Sequence, residues 1–314
     1  MELKIKQLAK KQGKTYDEMD FLLKAYMHHY KVDFDEAFDW WDKGDIGIVH
    51  LADIAEKQGE VELIKTGMSF LDEAMGGGIP KGGSVVVAAI AGEGKTTFMQ
   101  SLSYHFAKQK INCLWFSYEE NVNAIWKRFL GMGLTKENLL FAPLNLEDNK
   151  IDYIERAIRK FKKTNEFFVV FIDQLSHIAP KVDGNTNLDN INKNFSLYLG
   201  MMSTQLKEVA MKYGIIVVVA HQLGRSGELA YSDMVRHAPD KVIYLEREKA
   251  TATMDDRFTD KTFLKMNKNR PIGTSPIIPM KVIKNKFVHY DSSESMQEAL
   301  EIMGGKILTN KNYV

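Results

Sequence analysis

The chain has 314 residues, of which 45% are hydrophobic and 26% charged, with a formal net charge of +1 and a single cysteine. This is the composition of an ordinary soluble globular protein, long enough for one large core of about 200 to 250 residues plus a small accessory unit. Cys113 alone excludes an intramolecular disulfide and a thiolate metal cluster, so a reducing, cytoplasmic setting is expected. The charge balance neither demands nor excludes a nucleic-acid partner, because a polyanion is bound by a local basic surface.

At the N-terminus, MELKIKQLAK lacks the apolar stretch and cleavage site of a signal peptide. Leu22, Leu23, Tyr26 and Tyr30 recur at helical spacing, as do Phe34, Phe38 and Trp41, with Asp33 placed to cap the second run. Residues 1–45 therefore read as a bundle of two or three short helices, too small to be very stable alone. Residues 46–64 follow as a connection, with an apolar stripe through Leu51, Ile54 and Ala55 that is either a linker helix or a fourth helix of the bundle.

From about residue 61, short β-rich runs alternate with helical stretches, the pattern of a mostly parallel sheet covered by helices in an α/β fold. The expected pairs are a strand near 84–91 with a helix 95–109, and a strand near 112–117 with a helix 121–131. A helix 149–163 then leads to a strand 167–172, and a helix 197–213 to a strand 215–220. Further strands near 241–246, 261–267, 277–283 and 286–290 read as hairpins or edge strands, and a variable tail occupies 291–314. The longest apolar runs are strand length and far too short to span a bilayer, so no membrane partner is expected. Two stretches, 181–194 and 224–239, fit neither period and follow strands at the side where open α/β sheets bind ligands.

The chemistry is concentrated after the strand near 84–91, in Gly92-Glu93-Gly94-Lys95-Thr96-Thr97 leading into a helix. Glycines allow close backbone approach, and successive N–H groups with the helix N-terminus cradle phosphate oxygens. Lys95 would reach the β and γ phosphates of ATP, and Thr96 would offer its hydroxyl to Mg²⁺. Ala89 stands where the strict phosphate-loop pattern has its first glycine. The apolar strand ending in Asp173 supplies a carboxylate for a Mg²⁺-bound water, or else simply a turn residue at a strand end. Glu119 and Glu120 end the intervening strand. Either could act on an attacking water, and the other would serve as a helix N-terminal charge.

The order of these features resembles the RecA-type motor domain of the hexameric replicative DNA helicases, the DnaB family and its phage relatives. Lys65-Thr66-Gly67-Met68-Ser69-Phe70-Leu71-Asp72 resembles that family's T-G-x-x-x-L-D opening, and Phe116-Ser117-Tyr118-Glu119 its F-S-L-E, whose glutamate is the catalytic base. Phe171-Ile172-Asp173-Gln174-Leu175 is similar to its Walker B strand, and His221-Gln222-Leu223-Gly224-Arg225 to its S-Q-L-x-R segment. By the resemblance, Gln222 senses the γ phosphate or bound nucleic acid. Lys268-Asn269-Arg270-Pro271-Ile272-Gly273 resembles the K-x-R-x-x-G segment, which implies that Lys268 and Arg270 act in the nucleotide site of the next subunit, with Arg270 the arginine finger. The alternative for both is a solvated face of an edge hairpin.

The resemblance spans residues 65 to 285, within a motor domain bounded at 65–290, and implies a P-loop ATPase that works as a hexameric ring on single-stranded DNA in replication. Lys181, Lys193, Arg225 and Arg236 are the positive charges that the two loops would offer to a DNA backbone. A primase, polymerase or loader partner is implied by the family, while the short N-terminal unit departs from the family's larger helical collar. That size suits a phage-encoded or plasmid protein working in a bacterial host. Two rival readings remain: a strand-exchange recombinase, and a nucleotide-dependent assembly ATPase without translocation.

Overall fold

The computed structural model describes residues 1–43, 51–52, 59–145, 147–179, 195–224, 233–249, 258–270, 272–273, 276–293 and 295–297. Backbone contacts divide the chain into two compact units, Met1–Glu60 and Val61–Val314.

The first unit contains α1 (Glu2–Lys11), α2 (Tyr16–Tyr30) and α3 (Phe34–Lys43). Thr15 and Glu18 form a reciprocal capping box at the start of α2: the Glu18 amide donates to Thr15 Oγ1 at 3.3 Å and the Thr15 amide to Glu18 Oε2 at 2.8 Å. Lys31 closes α2 in the left-handed region at φ 55°. Asp33 caps α3 by accepting the Glu36 amide at 2.9 Å. Ile5, Leu8, Ala9, Met19, Leu23 and Ala37 form the buried centre, and Tyr26, Phe34, Phe38 and Trp41 close around it. The expected helix through Leu51, Ile54 and Ala55 is described only at residues 51–52, which are helical; the remainder lies outside the described residues.

The second unit opens with β1 (Leu63–Ile64) and β2 (Ile79–Pro80), a small antiparallel pair of its own. Between them, the short helix α4 (Ser69–Ala74) follows a locked turn in which Asp72 accepts the Thr66 amide and hydroxyl, both at 2.7 Å, and the Gly67 amide at 3.2 Å. The remaining strands are β3 (Ser84–Ala89), β4 (Asn112–Ser117), β5 (Leu140–Phe141), β6 (Phe168–Asp173), β7 (Ile216–Gln222), β8 (Lys241–Lys249), β9 (Phe258–Asn269), β10 (Ile278–Ile283) and β11 (Lys286–His289). They form one sheet in the order β11-β10-β9-β8-β3-β7-β6-β4-β5. From β8 to β5 all neighbours are parallel, and β9, β10 and β11 extend the β8 side antiparallel. The late strands therefore complete the same sheet as hairpins.

Strand periodicity assigns each side chain to a face. Val85, Val87, Val169, Phe171 and Val218 meet Phe98, Met99, Leu102 and Phe106 of α5 (Lys95–Lys108) and Ile125 and Phe129 of α6 (Val122–Gly131). Val86, Val170, Ile172 and Val217 pack with Ile151, Ile154 and Ile158 of α7 (Ile151–Lys162) and Leu199, Met202 and Leu206 of α8 (Phe195–Tyr213). Both faces being covered, β3 and β6 are buried along their whole length, which is why they read as continuous apolar runs. Among the described residues no helix is long and apolar enough to cross a membrane.

Candidate functional site

The phosphate loop begins where β3 ends. Gly92 and Gly94 adopt φ of +82° and +94°, values that a side chain would strain, and Gly94 caps the N-terminus of α5. A Cβ on Gly94 would also lie 3.1 Å from Phe287 Cζ, so the β11 ring backs the loop from behind. Glu93 is 7% exposed, and burial raises its carboxyl pKa against the opposing hydrogen bonds of the Ile90 and Arg247 backbone. Thr97, in the first turn of α5, accepts the Ser101 hydroxyl on its carbonyl at 2.8 Å.

Lys95 folds over the mouth of β3, donating weakly to Ala89 O at 3.4 Å and Ile90 O at 3.5 Å. Burial depresses its pKa, and the negative charges of Glu119, Asp173 and Glu93 oppose that shift. Long bonds to two carbonyls leave the ammonium under-coordinated, which is the state expected of a side chain that receives an anion.

Asp173 ends β6 fully buried. Thr96 Oγ1 donates to its Oδ2 at 2.6 Å, while Oδ1 is buried with no hydrogen-bond partner among the described residues. Burial raises the carboxyl pKa, the Thr96 bond lowers it, and the nearby Glu119 charge raises it further. No cluster of three His, Cys, Asp or Glu among the described residues could hold a metal by itself. A hydroxyl beside an orphaned carboxylate oxygen, facing a phosphate loop, instead fits Mg²⁺ that takes most of its ligands from phosphate and water.

Ser117 and Asp173 are register partners, and the chain beyond β4 stays tied to β6 through Tyr118 N and Glu119 N, which donate to Asp173 O at 2.6 and 3.2 Å. The two glutamates then diverge. Glu120 is held by Arg128 of α6 in a two-pronged ion pair. The Glu119 side chain is exposed and forms no hydrogen bond or ion pair among the described residues. Both line an open cleft of about 560 Å³ with Glu147, Asn149, Ser176 and His177. Gln222, the exposed last residue of β7, pairs in register with Ala89 and so stands on the same edge of the sheet.

Lys95, Thr96, Asp173, Glu119 and Gln222 thus converge at the C-terminal edge of the parallel strands, where open α/β sheets bind ligands. Lys268 and Arg270 do not join them. Lys268 pairs with Val242 and Asn269 with Lys241, and Lys241 pairs with Val85 at the start of β3. That is the opposite edge, four residues or about 13 Å along the strands from Ala89. Lys268 Nζ donates there to Arg236 O at 2.6 Å and to His237 O, and burial followed by the neighbouring Arg270 charge brings its pKa down to about 8. The Arg270 side chain is exposed, its Nη2 reaching His237 O at a long 3.4 Å. Arg236, on a 3₁₀ turn (Asp233–Arg236), belongs to this lower group. Lys181, Lys193 and Arg225 lie outside the described residues.

Five contributors are absent from the sequence reading: Arg128 as the partner of Glu120, Phe287 behind Gly94, and the cleft residues His177, Asn149 and Glu147. Arg128 lies on the helix that follows Glu120, so a charge pair eight residues apart was the available signal. Phe287 lies far along the chain from the loop and carries none.

A family model described as AAA domain matches residues 55–228, more than half of the chain and the whole run from the connection to the end of β7. The chain belongs to the AAA-domain family. This AAA-domain protein is 28% identical over 184 residues to the DNA repair protein RadA of Rickettsia felis, an alignment covering 58% of this chain and 38% of that relative. It thus spans well under half the length of that curated relative.

Among solved structures, a DnaB-like replicative helicase, described with its interactions with primase, superposes with a TM-score of 0.62 at 17% identity, covering 85% of this chain and 74% of that one. A KaiC-like protein from the hyperthermophilic archaeon Pyrococcus horikoshii gives 0.57 at 19% identity, covering 74% and 100%. These likenesses establish the fold, a RecA-type P-loop ATPase domain with a largely parallel sheet.

Proposed function

We propose that this AAA-domain protein is an ATP-dependent DNA helicase or translocase whose subunits form a hexameric ring around single-stranded DNA during replication. The observation that carries the reading is the separation of the site into two halves. Lys95, Thr96, Asp173 and Glu119 occupy one edge of the sheet, and Lys268 and Arg270 the other, a separation that supports a site completed by the arginine of a second copy.

In that site Lys95 and the loop amides bind the ATP phosphates, and Gly92, Glu93, Gly94 and Thr97 shape the cradle. Thr96 and Asp173 are the residues that would hold Mg²⁺, which would offset the negative charge of the phosphate oxygens. Glu119, unpaired in the cleft, orients the attacking water and takes its proton as the new P–O bond forms and the β–γ bridge breaks. Arg270 of the neighbour stabilises the charge that develops on the transferred phosphoryl group, supported by Lys268. Gln222, at the strand end beside Ala89, reports loss of the γ phosphate to the segment that follows; Arg225, Lys181 and Lys193 are the proposed contacts to the DNA backbone, with Arg236 a further one from the opposite edge of the sheet. A primase, polymerase or loader is the partner class that such a ring would serve in a bacterial cytoplasm.

The similarity to RadA, named as a DNA repair protein, favours a second reading: a recombination or repair ATPase of the same fold. Unwinding of a forked duplex by the wild type and the Lys95→Ala variant, with native mass measured with and without nucleotide, separates them. Nucleotide-dependent unwinding by a closed ring supports the helicase. Open filaments that exchange strands without unwinding would refute it.

A further inference from the structure

Lys241 is a buried lysine that takes no part in the candidate nucleotide site. It opens β8, is 1% exposed, and forms no ion pair among the described residues, yet all three of its ammonium protons have an acceptor. Nζ donates to Met75 O at 2.9 Å, to Arg270 O at 2.7 Å and to Asn269 Oδ1. Asn269 in turn donates through Nδ2 to Ala74 O at 2.8 Å, and the Arg270 amide donates to Asp240 O at 3.1 Å. Asp240 is itself fixed, accepting the Ser84 amide at 2.8 Å and Lys207 Nζ at 2.6 Å.

We infer that Lys241 is a positioning residue for Arg270: a buried ammonium strut that clamps the Arg270 carbonyl to the end of α4 while Asp240 clamps its amide. The inference rests on the reading of Arg270 as a residue that acts in the neighbouring subunit's site.

Burying an ammonium is costly, and an apolar side chain would fill the same volume at less expense. The depressed pKa of Lys241, caused first by burial, carries the sign of that cost. What the ammonium supplies and an apolar side chain cannot is a tether that joins the Arg270 carbonyl, the Met75 carbonyl and the Asn269 side chain. The Arg270 side chain is exposed, and its one described contact at 3.4 Å is long, so its direction is set mainly by the peptide that carries it. A side chain that acts across a subunit boundary depends on that direction, because a displacement of about 1 Å at a reacting centre can cost about 100-fold in rate.

The test uses the full chain with Lys241→Met, which keeps the length and removes the donors, and Lys241→Gln, which returns part of the donor set on a neutral group. Each variant's own P-loop should bind a fluorescent ATP analogue within about twofold of wild type while kcat falls about 10- to 100-fold for Met and less for Gln. Mixing Lys241→Met with Lys95→Ala should restore turnover, because the intact P-loop of the first then receives a correctly held Arg270 from the second.

Wild-type kcat in the Met variant overturns the proposal. So does loss of nucleotide binding in both variants, which assigns Lys241 to folding of the unit. The parallel mixture of Arg270→Ala with Lys95→Ala reports on the underlying reading: recovery there, with none for Lys241→Met, rejects the strut and keeps the shared site, whereas no recovery in either rejects both.

Discussion

Glu119 and Glu120 are adjacent in sequence and opposite in circumstance, which makes a paired substitution informative. The Glu119 side chain is exposed and unpaired among the described residues, so Glu119→Gln should change stability by no more than about 0.5 kcal/mol. If its carboxylate takes the proton of the attacking water, the same change should lower kcat about 100- to 10,000-fold. That is about 3 to 5 kcal/mol of barrier. Glu120 is engaged by Arg128 through both oxygens, with the two side chains 34% and 29% exposed. Glu120→Gln leaves a half-buried guanidinium without its counter-charge and should cost about 1 to 2 kcal/mol, with kcat within a few-fold of wild type. The assays are steady-state phosphate release at saturating ATP and denaturant unfolding of each variant. A crossed result, in which Glu120→Gln abolishes turnover and Glu119→Gln mainly destabilises, refutes the assignment.

Other outcomes follow from the same geometry. Gly94→Ala would force a side chain into φ +94° and within 3.1 Å of Phe287, so nucleotide affinity measured by titration should fall by about 1 to 3 kcal/mol, and Phe287→Ala should recover part of it. Lys207→Met strands Asp240, whose pair has side chains 18% and 13% exposed, and should destabilise the second unit by about 2 kcal/mol. The expected fall in melting midpoint is about 4 to 8 °C. Lys268 has its pKa depressed to about 8, so its charge is present below that pH and lost above it. If that charge supports the neighbour's site, turnover declines as pH rises through about 8, and Lys268→Arg, which cannot deprotonate there, flattens the profile. For stability the sign is opposite: a depressed lysine weakens the fold while protonated, and that penalty is relieved as pH climbs from about 8 toward the unfolded value.

The parts of the fold that are set locally are legible in the sequence. Apolar runs such as Phe168–Asp173, with both faces covered, announce a central parallel strand, and the spacing of Leu199, Met202 and Leu206 announces the helix that covers it. The phosphate loop is readable despite Ala89, because glycines at 92 and 94 followed by Lys95 and Thr96 carry the conformational requirement themselves. Strands of two residues, β1, β2 and β5, are too short to show a period. The capping box of Thr15 and Glu18 is a signal that three-residue spacing does carry, although the helical periodicity alone does not bring it out.

Between Glu119 and Glu120 the sequence separates the two only through the resemblance of Phe116-Ser117-Tyr118-Glu119 to F-S-L-E, whereas their different surroundings depend on Arg128 reaching back from α6. Lys241 looks in sequence like a solvated strand end. Its burial follows only from the register of β8 against β9 and the approach of Met75, 166 residues away.

The central claim is that one ATPase site is shared by two subunits, and mixing two inactive variants tests it most directly. Lys95→Ala lacks the phosphate-binding half and Arg270→Ala lacks the half at the opposite edge of the sheet. At equal proportions in a head-to-tail ring, about a quarter of the interfaces join an intact P-loop to an intact arginine. ATP turnover should therefore reappear on mixing and reach a maximum near equal proportions. Full turnover by Arg270→Ala alone, or no recovery at any ratio in rings shown by native mass to contain both variants, would contradict it.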